Sequence, residues 1–187
     1  LKKYFPIHKG MMRRHVGDVK AVDDVSFQVF PRETLALVGE SGCGKTTIGR
    51  CVARAYQPTA GQLHYRSDVV QPRGKRAGDA SAGGTDLALL NERELIPYRR
   101  DIRMIFQDPF ASLNPRMTVF NIIANPLQIH KIAKGKELED RVAQLMRQVG
   151  LRPEYMRRYP HAFSGGQRQR IVIARALALD PKLVIAE

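Results

Sequence analysis

The stretch Gly39-Glu40-Ser41-Gly42-Cys43-Gly44-Lys45-Thr46 is a complete GxxxxGK[ST] loop, and its reading decides the fold because the flanks are those such a loop requires. Leu35-Ala36-Leu37-Val38 precedes it as an apolar run of strand length, and residues 47–55 follow without proline as a helix candidate. A polyphosphate needs many donors converging on it, and Gly39, Gly42 and Gly44 remove the Cβ atoms that would hold the backbone away. Backbone N–H groups along Glu40, Ser41, Cys43 and on to Thr47 then face the phosphates, together with the positive end of the helix beginning near Lys45. The Lys45 ammonium reaches the β and γ groups, and the Thr46 hydroxyl serves as a ligand for Mg²⁺. The loop predicts a site for ATP or GTP.

Outward from the loop, 187 residues suffice for one well-buried core with a smaller subdomain. A hydrophobic fraction of 43% and a charged fraction of 26% fit a globular chain, and no apolar run reaches bilayer-spanning length. The sequence opens on Leu1, Lys2, Lys3 and Pro6, which reads as neither a secretory signal nor a native start, so a fragment is expected. Cys43 and Cys51 form neither a metal spacing nor a disulfide framework, which points to a reducing cytosol. The net charge of +13 is compatible with nucleic acid, an anionic membrane surface or a plain basic protein. Its densest clusters, Arg99-Arg100 with Arg103 and Arg168 with Arg170, lack interleaved aromatics, which counts against nucleic acid.

Along the chain, Tyr4 and Phe5 are either ordinary strand residues or aromatics on which an adenine stacks. Val25, Phe27 and Val29 alternate with Ser26 and Gln28 as a half-buried strand does. A turn at residues 58–61 leads to a short strand over 62–65, and residues 66–86, rich in Gly, Ala, Ser and charge, read as a mobile surface insertion with the basic run Arg73-Gly74-Lys75-Arg76. Residues 91–100 read as a short helix interrupted at Pro97, residues 102–106 as a buried strand that Gln107-Asp108-Pro109-Phe110 ends, and Thr118 as the cap of a helix that Pro126 stops. Leu138, Val142, Leu145, Met146 and Val149 make one apolar helix face that Gly150 terminates. Ser164-Gly165-Gly166-Gln167 is a capping box opening a helix to about Leu179, but two glycines at a helix start also suit close approach of backbone to phosphate. Leu183 to Ala186 is a last buried strand, followed by Glu187.

The order of these motifs resembles the nucleotide-binding subunit of ABC transporters. The Walker A loop matches at residues 39–46, Gln107 at the Q-loop, and Phe163-Ser164-Gly165-Gly166-Gln167 at the signature, with Phe163 where Leu is usual. Phe106-Gln107-Asp108-Pro109-Phe110-Ala111-Ser112-Leu113-Asn114-Pro115-Arg116, Tyr159-Pro160-His161 and Leu1 to Pro6 are similar to the oligopeptide, dipeptide and nickel importer branch. The resemblance implies an α/β P-loop NTPase core of ABC type with an antiparallel β subdomain and an inserted α-helical subdomain. Its expected divisions are 1–110 for the ATP-binding core, 111–163 for the helical subdomain, and 164–187 for the signature helix and a truncated Walker B strand. It further implies ATP and Mg²⁺ as cofactors, Gln107 at the metal and the attacking water, and Phe5, with Tyr4 the near alternative, against the adenine. Ser164, Gly165, Gly166 and Gln167 would complete the site of a second ATP-binding subunit, identical or paralogous, in a head-to-tail dimer. Permease membrane subunits at the cytoplasmic face of the inner membrane are the other expected partners, with no direct cargo contact and no nucleic acid. Glu187 either stands in the place of the Walker B aspartate or is the catalytic glutamate of a strand end lacking that aspartate. With no switch histidine in view, the chain is expected to bind ATP and turn it over poorly.

Overall fold

The computed structural model describes residues 1–10, 14–66 and 84–187, which divide into two units, Leu1–Tyr98 and Arg99–Glu187. In the first unit, β1 (Lys3–Lys9) pairs antiparallel with β2 (Arg14–Val22), with irregular register at Lys3/Tyr4 and Ile7/His8. Helix α1 (Lys45–Val52) starts directly from the glycine-rich loop. β3 (His64–Tyr65) pairs with β4 (Thr85–Asp86), and α2 (Glu92–Leu95), capped by Asn91 with Glu94, is separated from α3 (Tyr98–Asp101) across Pro97 as the sequence predicts. The core is small: Val22, Cys51, Leu87, Leu95 and Tyr98. Arg54 is buried with it, and its Nε and Nη2 donate to the carbonyls of Leu87 (2.7 Å) and Leu90 (2.9 Å), which satisfies a buried cation without a carboxylate.

Three expectations change in this unit. Residues 25–29 and 35–38 are not strands: among the described residues no ladder forms along either run, and Val38 is 93% exposed. Alternation and apolar composition supply a face to bury, but a strand exists only where a neighbour takes its N–H and C=O groups. At the end of the segment expected to be a mobile insertion, Thr85 and Asp86 instead make a strand, and the Asp86 carboxylate accepts from the amides of Leu63 and Ala88. The basic run at residues 73–76 lies outside the described residues.

In the second unit, β5 (Ile102–Ile105) runs parallel to β6 (Leu183–Ala186), in register from Ile102↔Leu183 to Ile105↔Ala186. Between them come α4 (Pro109–Ser112), α5 (Val119–Ile129), α6 (Gly135–Gln148), 3₁₀ turns at Pro153–Arg157 and Pro160–Ala162, and α7 (Gly165–Leu177). One apolar cluster joins Ile122, Ile123 and Leu127 of α5, Val142 and Met146 of α6, and Ile171 and Val172 of α7. The stripe read from the sequence of α6 is the face it buries, and Gly150 at φ 71 ends the run as expected. Thr118 caps α5, but Pro126 does not stop it: the helix continues to Ile129 with Pro126 buried. The ring removes one helical bond, yet burial of Ile123 and Leu127 on either side holds the segment helical, and the amides of His130 and Ile132 find the carbonyls of Pro126 and Leu127. β6 is half-buried rather than buried.

Candidate nucleotide site

The loop before α1 takes its shape from two glycines in the left-handed region, Gly42 at φ 85 and Gly44 at φ 96. A Cβ at Gly44 would collide with the carbonyl oxygen of Ala21, so this glycine both makes the turn and lets the loop lie against the end of β2. The Lys45 ammonium folds back across the loop, donating to the carbonyls of Gly39 (2.7 Å) and Glu40 (2.6 Å) and standing 3.5 Å from Cys43 Sγ. A compact cation thus sits in the ring of backbone, where anionic oxygens can replace the two carbonyls as acceptors. No acidic residue occupies the first turn of α1 to offset its positive end. Thr46 is exposed and Thr47 half-buried in that turn. Cys43 is exposed, whereas Cys51 is buried and desolvation pushes its thiol up.

The two candidate aromatics differ in what they touch. Phe5 meets Tyr56 edge-on at 5.5 Å, with the Lys3 ammonium 4.8 Å from its ring centre. The Tyr4 hydroxyl donates to Asp23 Oδ1 at 2.5 Å, and Lys20 lies 5.5 Å from its ring centre. That hydrogen bond holds the Asp23 carboxyl below its ordinary value, helped by Lys20 and Lys2, and raises the Tyr4 hydroxyl above its own.

In the second unit, Gln107 and Glu187 come to the same end of a parallel strand pair. Glu187 follows β6 directly and its amide donates to the Ile105 carbonyl at 3.0 Å, while Gln107 is two residues beyond Ile105 and exposed. The carboxyl ends of parallel strands are where open α/β sheets carry their ligand chemistry. Asp108 then accepts from the amides of Phe110 (2.7 Å) and Ala111 (3.2 Å), capping α4. At α7 the capping box is complete: the Gln167 amide donates to Ser164 Oγ (3.3 Å) and the Ser164 amide to Gln167 Oε1 (3.0 Å). Gly165 and Gly166 are exposed, and a Cβ at either would meet nothing within 4 Å. Packing within the chain therefore does not demand glycine at these positions.

As metal donors, the Thr46 hydroxyl, the Gln107 amide oxygen and the Glu187 carboxylate are all hard oxygens. Mg²⁺ keeps several waters and phosphate oxygens as ligands, and hard oxygens of this kind are the donors it takes from protein.

Three arginines of α7 are tied to main-chain carbonyls. Arg168 donates to the carbonyls of Pro160, Phe163 and His161, Arg170 to those of Val149 and Gly150, and Arg175 to that of Ser112. Desolvation lowers the Arg103 and Arg175 guanidinium values, with Arg175 adding to the effect on Arg103. Sequence reasoning did not find these ties, because Arg175 and Ser112 are 63 residues apart and no local pattern announces such a pair.

A glycine-rich loop opening a helix, with an ammonium across its mouth, defines a P-loop nucleotide-binding protein. The sequence pattern of the ABC transporter family matches residues 22–187, and the chain belongs to that family. It is 50% identical across its whole length to the oligopeptide transport ATP-binding protein AppF of Bacillus subtilis, covering 52% of that protein, and 52% identical over 91% of its length to OppF of the same organism, covering 51%. It is also 49% identical over 98% of its length to the glutathione import ATP-binding protein GsiA of Salmonella paratyphi A, covering 27%. The chain thus spans about half the length of the first two relatives. Among solved structures it resembles the ATP-binding cassette MJ0796 in a dimeric post-hydrolysis state bound to ADP and Pi, with TM-score 0.78 and 25% identity over 99% of this chain and 70% of that one. The fold class expected from the motifs is therefore the one found.

Proposed function

We propose that this chain is the nucleotide-binding part of an ATPase subunit that powers a peptide importer. The observation that carries the reading is the Lys45 ammonium held inside a loop whose left-handed Gly42 and Gly44 leave its backbone bare. Lys45 neutralises the β and γ phosphates of ATP, amides from Glu40 to Thr47 hold their oxygens, and Phe5 or Tyr4 stacks on the adenine. Thr46 and Gln107 are the residues that would hold Mg²⁺, which would supply charge neutralisation at the phosphates, and Gln107 would orient the attacking water. Glu187 supplies the carboxylate at the strand end.

Ser164 and the amides of Gly165 and Gly166 act on the nucleotide of a second ATP-binding subunit, which the open surroundings of both glycines support. A hydroxyl has one proton to donate besides its lone pairs, so Ser164 Oγ can accept from the Gln167 amide and still donate to a phosphate oxygen. Residues 111–163 form the subdomain that meets permease subunits at the cytoplasmic face of the inner membrane, and peptides are the cargo class suggested by the AppF and OppF likeness.

Calorimetric titration with Mg-ATP tests the reading. Lys45→Ala is expected to weaken binding on the order of 100-fold, because the polyanion loses its main counter-charge. Unchanged affinity would remove the loop from the site.

A further inference from the structure

Arg168, in the first turn of α7, uses both the edge and the face of its guanidinium. Along the edge, Nε donates to the carbonyls of Pro160 (2.9 Å) and Phe163 (3.0 Å), and Nη2 reaches that of His161 (3.4 Å). These carbonyls belong to the segment that delivers Ser164 to its cap position. Against the face lies Phe110, whose ring centre is 4.2 Å from the guanidinium carbon. Phe110 is 61% exposed, so its ring is not held in place by core burial, and cation–π attraction is the interaction that fixes it on α4. That single-turn helix begins two residues after Gln107 and is nucleated by the Asp108 cap. A second guanidinium from α7, that of Arg175, donates to the Ser112 carbonyl at the other end of α4 at 2.7 Å. The one-turn helix behind Gln107 is thus clamped to α7 at both ends.

We infer that Arg168 is a positioning residue which, through its stack on Phe110, couples the segment following Gln107 to the loop presenting Ser164, Gly165 and Gly166. The inference rests on the functional reading above and adds a route by which phosphate occupancy sensed at Gln107 changes how the signature is offered to the second subunit. Lysine cannot do both jobs, since its point charge offers neither a flat face nor a fork of donors.

The test is a mutant cycle on ATP turnover in the full-length protein assembled with its partner subunits, with melting temperature followed in parallel. Arg168→Lys and Phe110→Leu are each expected to lower kcat about tenfold with KM for ATP within about twofold, and the double variant to fall no further than either single one. Phe110→Trp, which keeps a ring under the cation, is expected to stay near native turnover. In a Gln107→Ala background, Arg168→Lys is expected to add no further loss. Should Arg168→Lys disturb folding, Phe110→Leu, at an exposed position with an unchanged melting temperature, carries the cycle with Gln107→Ala alone. Losses that multiply with Gln107→Ala, or a silent Phe110→Leu, would overturn the coupling and leave Arg168 as a brace of its own loop. Mg-ATP affinity that survives Lys45→Ala would instead overturn the nucleotide reading and this inference with it, a failure seen in binding rather than in the cycle.

Discussion

Cys43 is exposed in a loop built for anions and stands 3.5 Å from the Lys45 ammonium, so its thiol is a chemical handle on that loop. Cys43 is exposed and Cys51 is not, with burial holding the Cys51 thiol in its protonated form. Iodoacetamide on the native chain is expected to label Cys43 while sparing Cys51, and saturating Mg-ATP to slow the Cys43 reaction about tenfold or more by covering the loop. Peptide mapping with labelling of Cys51 first would contradict the burial seen here. Tyr4 offers an independent check. Its hydroxyl is the largest cause of the lowered Asp23 value, so Tyr4→Phe is expected to raise Asp23 toward the ordinary carboxylate range, read by NMR titration of the carboxyl carbon. Because the folded value is depressed, whatever this carboxylate adds to stability is present above its unfolded value and fades as pH falls through the folded one. Removing the Tyr4 hydroxyl moves that loss to higher pH.

Helix α7 shows how one tetrapeptide carries two messages. Its capping box is a stability device worth about 1 kcal/mol, while the proposed contact with a partner's phosphate needs the same Ser164 hydroxyl. Ser164→Asp separates them, since aspartate is as good a cap but presents negative charge to phosphate. The melting temperature is expected to change by no more than a few degrees, whereas ATP-dependent dimerisation, followed by sedimentation, is lost; dimerisation persisting in this variant would return Ser164 to a purely structural role. Elements of this kind were legible because their determinants are local: the α6 stripe, the Thr118 cap and the break at Pro97 all lie within a few residues of what they control. Pro126 misled because tertiary burial around Ile123 and Leu127 overrides a local breaker, and residues 35–38 misled because an apolar run specifies a face without specifying a partner strand. The phosphate-loop residues could be named from their spacing, whereas Gln107 and the phosphate role of Ser164 came only from the resemblance to the family. Arg168 on Phe110 could not, since nothing in a sequence says which ring a surface guanidinium will cover.

At the scale of the molecule, the two units differ in how much apolar surface each removes from water. The Arg99–Glu187 unit buries faces of α5, α6 and α7 in one continuous cluster, whereas the described residues of the Leu1–Tyr98 unit bury five apolar side chains and leave Phe27, Val29, Phe30, Leu35, Leu37 and Val38 exposed. Since stabilisation scales with buried apolar area, at roughly 25 cal/mol per Å², the first unit is expected to open well before the second. Amide exchange is then expected to be fast over residues 25–40 and slow in the middle of α5, α6 and α7, and thermal unfolding to depart from a two-state transition. Mg-ATP adds a further distinction, because a ligand stabilises what it binds by RT ln(1 + [L]/Kd), about 2.7 kcal/mol at a hundredfold excess over Kd. If Lys45 and its loop hold the nucleotide, the early transition moves up with ATP concentration, and Lys45→Ala abolishes that movement. A nucleotide that raised only the late transition would place its phosphates in the wrong unit, whatever the motif says.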